Sequence, residues 1–213
     1  MKAFLKISLT LGLGTIVALL MAFHFRIPVS ETIGDFLLLP SSDEKSDVIF
    51  VMGGDPIGRL PLGLKLHIAD KGDSVWFPTT AVSQEDRKFK KDYGFAPGEE
   101  FIVKKVLRES SLLPQQYKVL PGSTSTYTDL VMLRDKLKGS TVKSVTIVSM
   151  PYHFKRIKFC TDLIFEKDSD IAFRYQYKDP TEWRGNLLEE DDFVMIVVSE
   201  YLKHVAYRCK YLL

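Results

Sequence analysis

The chain has 213 residues, of which 46% are hydrophobic and 26% are charged, and its formal net charge is +2. These proportions are typical of a globular protein large enough to bury one complete core. The small net charge, without a basic stripe that carries interleaved aromatic side chains, argues against nucleic acid as a partner.

An uncharged run opens the chain. No Lys, Arg, Asp or Glu occurs in the 19 residues from Ile7 to Phe25. As a helix this run would extend about 28 Å, close to the ~30 Å hydrocarbon core of a bilayer. We therefore expect residues 1–25 to form a membrane anchor, with the lipid bilayer as a partner. A cleaved signal peptide is the alternative, but the residues from Met21 to Phe25 offer no small-x-small cleavage site, which favours an uncleaved signal anchor.

The charges that flank this run favour one orientation. Lys2 and Lys6 precede the run, and Arg26 follows it. The positive-inside rule then predicts a single-pass protein of the inner (cytoplasmic) membrane, with its soluble domain outside the cytoplasm. An exported domain permits a disulfide between Cys160 and Cys209, whereas two buried, inert thiols are the alternative that we favour. The spacing of these cysteines fits no metal motif.

Residues 26–46 are predicted to be a linker, because they contain Pro28, Pro40 and a polar run over 41–46. Strands and helices then alternate to the end of the chain. The predicted strands are 47–52, 74–77, 117–120, 144–149 and 171–175. The predicted helices are 60–69 with a C-cap at Gly72, 98–107, 125–137, 151–165 and about 190–211.

This alternation predicts the fold class. Repeated β-α-β units with right-handed crossovers give an α/β domain with a doubly wound, mostly parallel sheet of five strands and a Rossmann-like architecture. We expect a single domain over residues 47–213. Pro78 is predicted to end the second strand, and residues 79–96 are predicted to be irregular.

Ligands of such sheets bind outside the carboxyl ends of the strands. The loop after the first predicted strand contains Gly53, Gly54 and Arg59. Free backbone amides and a guanidinium suit phosphate, pyrophosphate or carboxylate. The loop matches neither G-x-G-x-x-G nor a P-loop, and a tight strand-to-helix turn is the alternative interpretation.

Two further loops carry candidate residues. Five Ser and Thr side chains occur in residues 123–128, where Ser123 and Thr126 are candidate ligand contacts and simple helix capping is the alternative. After the fourth predicted strand come Ser149, His153 and Arg156. His153 and Arg156 are three residues apart and share a helix face, so an imidazole that transfers protons lies beside a guanidinium that clamps an anion. A purely structural histidine is the alternative.

The order of these motifs resembles one family. An apolar strand before Gly53-Gly54, then Arg59, then Ser123-x-x-Thr126, then Tyr152-His153-x-x-Arg156 is similar to the SanA/YdcF/ElyC-like family over about residues 47–175. The resemblance implies a Rossmann-like domain, often membrane-anchored, that acts in peptidoglycan or lipid-carrier metabolism without a settled reaction. The chain diverges from the family pattern at residues 77–80, where Ser-Gly-Gly is usual, and at Ser125, Thr128 and Asp129.

The sequence therefore predicts a membrane-anchored envelope protein that binds an anionic ligand. The expected ligand is a phosphorylated or otherwise anionic envelope precursor, either a small molecule or lipid-linked, which the protein binds or also processes. We expect His153 to transfer a proton. The residues expected to hold and orient the ligand are Gly53, Gly54, Arg59, Ser123, Thr126, Ser149 and Arg156.

Other functions stay open at this point. Asp55 and Asp129 are too few carboxylates to specify a metal site, and no cofactor is identified. One alternative is a nucleotide or adenosyl-cofactor binding module, although no acidic residue ends the second strand to grip a ribose. Another is a non-catalytic envelope scaffold whose site has decayed. The sequence does not decide whether the protein is an enzyme.

Overall fold

A computed structural model describes residues 14–18, 20–21, 24, 28–29, 31–94, 98–110, 112–165, 170–177 and 191–212. Most of the predicted membrane anchor over residues 1–25 lies outside these ranges. Within them, none of the helices combines the length and the apolar character that a bilayer span requires.

The described residues form five strands and six helices of the main domain, together with two short 3-10 turns. The strands are β1 (Ser46–Val51), β2 (Gly72–Thr80), β3 (Tyr117–Ser123), β4 (Ser144–Val148) and β5 (Ala172–Gln176). The helices are α1 (Pro56–Ile68), α2 (Gln84–Tyr93), α3 (Glu99–Glu109), α4 (Thr126–Leu137), α5 (Phe154–Phe165) and α6 (Asp191–Leu212). The 3-10 turns are Pro114–Gln116 and Pro151–His153.

All five strands pair in parallel, in the order β3-β2-β1-β4-β5. This confirms the predicted α/β, Rossmann-like class. The chain moves outward from β1 through β2 to β3, then crosses back to β4 and continues to β5. The direction of winding therefore reverses between β1 and β4, which leaves a crevice at the carboxyl ends of these two strands.

Both faces of the sheet are buried, because side chains alternate along each strand and helices cover each side. One face packs against α1 and α3, through Ile49, Val51, Val75, Phe77, Leu60, Val103 and Leu107. The other face packs against α4 and α5, through Val48, Phe50, Trp76, Ile147, Leu130, Leu133, Phe154 and Ile157. Alternate residues of β1 thus enter two separate hydrophobic clusters, which explains its continuous apolar run.

The second strand is longer than predicted and runs through Pro78 to Thr80. The described pairing of β2 with β1 ends at Trp76, so the missing amide hydrogen of Pro78 breaks no bond on that side. The prediction that Gly72 caps the preceding helix is also wrong, because Gly72 is the first residue of β2. A Cβ at Gly72 would lie 2.5 Å from Cγ1 of Ile49, so glycine is needed there for close approach.

Helix α2 lies in a segment that was predicted to be irregular. None of its residues is buried, so the sequence shows no apolar periodicity to reveal it. Local capping defines it instead. The hydroxyl of Ser83 accepts a hydrogen bond from the amide of Asp86 at 2.9 Å, the carboxylate of Asp86 accepts one from the amide of Ser83, and Gly94 closes the helix with φ of 81°.

The segment predicted as a linker packs against the domain. Residues 31–37 are helical, and Leu37 is buried with Val197 of α6. Further along, the side chain of Gln176 in β5 donates a hydrogen bond to the carbonyl of Ser42 at 2.7 Å. These contacts tie the chain that follows the uncharged run to α6 and to one edge of the sheet.

Candidate functional site

A cleft of about 360 Å³ opens at the crevice between β1 and β4. It is lined by the loops after β1, β3 and β4 and by the last helix. The structure brings all eight sequence-predicted site residues to this one cleft, namely Gly53, Gly54, Arg59, Ser123, Thr126, Ser149, His153 and Arg156. Their convergence follows from topology, since parallel strands place their carboxyl ends at the same edge.

The loop after β1 needs its two glycines for geometric reasons. A Cβ at Gly53 would lie 2.8 Å from the carbonyl oxygen of Pro78, and Gly54 has φ of 90°. Asp55 then starts α1 as its N-cap, since its carboxylate accepts a hydrogen bond from the amide of Gly58 at 2.9 Å. The loop is therefore both the tight turn of the alternative interpretation and a wall of the cleft.

The amides of both glycines are already bonded to acidic side chains. The amide of Gly53 donates to Oδ2 of Asp129 at 3.2 Å, and the amide of Gly54 donates to Oε1 of Glu99 at 2.6 Å. Neither acid was among the sequence-predicted site residues. The role of these amides in holding a ligand stays a prediction, and any anion that uses them must first displace a carboxylate.

Arg59 carries a buried charge without an acidic partner. Its side chain leaves the first turns of α1, and the residue is 8% exposed. Its Nη1 donates to the carbonyls of Met52 and Gly53, while its Nε has no hydrogen-bond partner. Among the residues that the structure describes, no carboxylate forms a direct ion pair with it, and the charges of Asp55 and Asp129 act on it only at longer range. Burial lowers the pKa of Arg59, but arginine stays charged in proteins.

Arg156 has the opposite arrangement, because it is fully engaged by a carboxylate. Its Nε donates to Oε2 of Glu200 at 3.0 Å, and its Nη2 donates to Oε1 of Glu200 at 3.2 Å. Its Nη1 donates to the hydroxyl of Thr126, and its guanidinium carbon lies 5.3 Å from the ring centroid of Tyr207. This bidentate pair fixes the guanidinium rigidly between α4, α5 and α6.

The same carboxylate reaches His153. Oε1 of Glu200 lies 3.2 Å from Nδ1 of His153, and Nη2 of Arg156 lies 3.0 Å from the same nitrogen. The protonation of Nδ1 therefore decides its partner: with hydrogen it donates to Glu200, and without hydrogen it accepts from Arg156. In the first case Nε2 is a free base whose ring is oriented by a buried acid, which is the geometry of a general base.

The pKa values of His153 and Glu200 are both below their ordinary values, for different reasons. Burial, together with the charges of Arg59 and Arg156, lowers the pKa of His153 to about 4 against the opposing hydrogen bond and charge of Glu200. Burial alone would raise the pKa of Glu200, but hydrogen bonds and charges from His153, Arg156 and Lys203 bring it to about 2. At neutral pH the cluster thus contains a neutral imidazole and an ionised carboxylate.

The hydroxyl-rich loop after β3 serves mainly to start α4. Ser125 caps the helix and Thr128 completes the capping box, as the alternative interpretation proposed. The hydroxyl of Thr128 also accepts hydrogen bonds from the amides of Thr124 and Ser125, at 2.9 and 2.8 Å. Ser123 donates to Asp129 and Thr126 accepts from Arg156, so both predicted ligand contacts have protein partners.

Asp129 is the most perturbed carboxyl of the cleft. It is 4% exposed, and this burial raises its pKa from 3.8 to about 7. Hydrogen bonds from Ser123 and Gly53 and the charge of Arg59 oppose the shift without cancelling it. A group that titrates near neutral pH in a cleft is a common property of functional sites.

Ser149 and Tyr152 differ in position. Ser149 lines the cleft, and its buried hydroxyl has no hydrogen-bond partner. Tyr152 packs beside Leu37 and Val197 instead, with its ring centroid 4.6 Å from that of His153. The structure therefore assigns Tyr152 to packing, while Ser149 keeps an open polar atom near a ligand-sized space.

Three acids of the site were not among the predicted site residues: Glu99, Asp129 and Glu200. Each belongs to a helix that ordinary patterning explains, and nothing local indicates which strand end its carboxylate reaches. Asp129 had the strongest signal, because it follows the Ser/Thr run directly. Within the described ranges, no group of three His, Cys, Asp or Glu side chains could hold a metal ion.

The cysteines are both free. Cys160 is buried in α5 and Cys209 is exposed on α6, so they do not form a disulfide. The preferred interpretation of two buried thiols is correct for Cys160 and wrong for Cys209. Comparison with known proteins gives no family for the chain: no protein-family model matches it, and no curated protein matches it.

Proposed function

We propose that the protein binds a phosphorylated small molecule or headgroup in the cleft between β1 and β4, and that it does so while anchored to a membrane by residues 1–25. The observation that carries the first half is the buried guanidinium of Arg59, which has no direct ion pair with an acid among the described residues. A buried charge is costly unless it is paired, and an anionic ligand supplies the missing partner.

The other groups around the cleft are consistent with this ligand class. Ser149 contributes an unpartnered hydroxyl, and Lys203 at the cleft rim is half exposed, with one described ion pair to Glu200. Arginine is the side chain best suited to phosphate, because its planar donors match the oxygens of the anion. The resemblance to the SanA/YdcF/ElyC-like family supports an envelope precursor as the source of the phosphate.

Anion binding is tested by thermal unfolding in phosphate and pyrophosphate at constant ionic strength. At a phosphate concentration about 100-fold above Kd, binding adds ~2.7 kcal/mol to the free energy of unfolding. We expect this gain in the wild-type chain and its loss in Arg59→Met. Arg134→Met is the matched control, because Arg134 is partly exposed in the last turn of α4 and pairs with Asp135.

The outcomes separate the competing functions. The cleft is not an anion site if no phosphate compound stabilises the wild-type chain, or if Arg59→Met and Arg134→Met respond equally. Either result would favour the scaffold alternative. Stabilisation by adenosine monophosphate and adenosine, without an effect of phosphate or pyrophosphate, would favour the nucleotide-binding alternative instead.

Membrane anchoring has support from sequence and structure. The uncharged run ends shortly before residues 31–37, and this segment contacts α6: the rings of Phe36 and Tyr201 stack with centroids 5.4 Å apart. Beside this contact, α6 leaves apolar side chains exposed at Met195, Val198, Leu202 and Val205. A lipid surface reached by the anchor would cover these side chains.

The test of anchoring uses substitutions within the full chain. Val17→Arg combined with Leu20→Arg places two charges in the run, at about 2.5–3.5 kcal/mol each for insertion. We expect the wild type to stay with membranes in alkaline carbonate and the double variant to be released. Val29→Arg, outside the run, is the control and should stay membrane-bound. Recovery of the wild type in the soluble fraction would exclude the anchor.

A further inference from the structure

The carboxylate of Glu99 sits where three donors from two strand ends converge. Its Oε1 accepts a hydrogen bond from the amide of Gly54 at 2.6 Å. Its Oε2 accepts two more from Thr80, one from the amide and one from Oγ1, both at 2.6 Å. Gly54 follows β1 and Thr80 ends β2, so the donors come from neighbouring strands at the carboxyl edge of the sheet.

This is an unusual place for an acid in the first turn of a helix. Such side chains normally face the free amides of their own helix or pair with a base one turn later. Glu100 does the latter, since it forms an ion pair with Lys104. Glu99 instead reaches out of α3 to the strand ends. Within the described chain no Lys or Arg pairs with it, so hydrogen-bond donors alone hold its charge there.

The cradle around Glu99 has the chemistry of an oxyanion site. Two backbone amides and a hydroxyl point at one pair of oxygens, as they would at a phosphate or a carboxylate. Independently, the same cleft contains the Nε of Arg59, buried and without a partner, and the open hydroxyl of Ser149. The cleft thus contains one anion position, which the carboxylate of Glu99 fills, and one cation, Arg59, without a direct ion pair among the described residues.

We propose that the Gly54–Thr80 cradle is a second anion subsite, and that Glu99 occupies it as an internal substitute which the ligand displaces. This inference rests on the proposed function. It specifies a ligand with two anionic groups, such as a diphosphate, of which one binds at Arg59 and the other replaces the Glu99 carboxylate. Glu99 then competes with the ligand and keeps affinity low until a group of the right spacing enters.

The inference makes a prediction that is contrary to simple loss of a contact: removal of an acid should tighten binding. In Glu99→Gln the side-chain oxygen can still accept from Gly54, but its amide group cannot accept from Thr80. In Glu99→Ala the cradle is empty. Hydrogen bonds to charged groups are the strong ones, so we expect affinity for pyrophosphate to be about tenfold or more above the wild-type value in Glu99→Ala, with Glu99→Gln between the two.

The experiment measures Kd by calorimetric titration of the full chain with pyrophosphate and with inorganic phosphate, at constant ionic strength. Glu100→Gln is the matched control, because it removes the same charge from the adjacent residue. We expect its Kd to stay within about twofold of the wild-type value. Pyrophosphate should gain more than phosphate from the loss of Glu99, since only the diphosphate reaches both positions.

The outcomes distinguish this inference from the proposed function. Wild-type binding that depends on Arg59 but is unchanged or weaker in both Glu99 variants would overturn the inference alone. Equal gains in the Glu99 and Glu100 variants would also overturn it, as a general charge effect. Failure of the wild type and of every variant to bind would overturn both proposals.

A second substitution tests whether the ligand contacts the cradle itself. Thr80→Val removes one donor of the cradle and leaves the carboxylate in place. Combined with Glu99→Gln, it should cancel part of the gain in pyrophosphate affinity. If the double variant binds as tightly as Glu99→Gln, the ligand does not use the cradle and the inference is wrong.

Discussion

Replacement of Asp129 by Asn should make the protein more stable at neutral and alkaline pH. Asp129 is almost completely buried, with Oδ1 bonded to the hydroxyl of Ser123 and Oδ2 to the amide of Gly53. An asparagine fits both partners, because its oxygen accepts from Gly53 and its amide group donates to Ser123. The substitution therefore removes a buried charge and keeps the hydrogen bonds.

The pKa of Asp129 sets the sign and the size of the effect. The folded protein keeps the proton up to about pH 7, whereas the unfolded chain releases it near 3.8. Between these values the folded state binds more protons, so the free energy of unfolding falls as pH rises. At ~1.4 kcal/mol per pH unit, the full loss is about 4 kcal/mol once the pH exceeds 7.

Urea unfolding of wild type and Asp129→Asn between pH 4 and pH 8 measures this difference. We expect nearly equal stability at pH 4 and a gain of up to about 4 kcal/mol for Asp129→Asn at pH 8. Asp135→Asn on the same helix is the control, and its difference from wild type should not grow in this direction. Parallel curves for Asp129→Asn and wild type would refute the argument that burial keeps this carboxyl neutral.

Two further predictions concern other buried groups. Glu200→Gln leaves Arg156 buried without a carboxylate and should cost about 3–5 kcal/mol in urea unfolding at pH 7. Because the folded pKa of Glu200 is about 2, below its ordinary value of 4.5, the stability that it contributes is present above pH 4.5 and lost towards pH 2. A constant difference across this window would contradict the pairing. A thiol reagent should modify Cys209 alone in the native protein, because Cys160 is buried and burial raises its pKa to about 12; reaction of both thiols at equal rates would contradict the fold around α5.

The fold class was predictable because its determinants are local or periodic. Continuous apolar runs such as 48–52 predict strands that are buried on both faces, and their alternation with helices leaves few topologies. Helix α2 was missed for the complementary reason: it buries nothing, so only its capping residues specify it. The end of β2 was wrongly predicted at Pro78 for a third reason. Whether a strand tolerates proline depends on which neighbouring strand continues beyond it.

The location of the candidate site was predictable from the sequence, but its hydrogen bonds and ion pairs were not. The general rule for parallel sheets selects the loops after β1, β3 and β4, and all eight predicted residues line the cleft there. The acids that bond to them lie far away in the chain, since Glu99 is 45 residues from Gly54 and Glu200 is 44 residues from Arg156. No local pattern encodes such pairs.

The amino-acid sequence by itself determined the strand and helix alternation, the identity of the edge that carries the loops, and the uncharged run at the amino terminus. These features follow from side-chain period, backbone preference and hydropathy, which act over a few residues. Only the tertiary structure decided which charges are paired. Arg156 pairs with Glu200 and the amide of Gly54 donates to Glu99, whereas Arg59 has no direct ion pair within the described part of the chain. Pairing of charges depends on distance in space and on exclusion of water, and neither exists until the chain has folded.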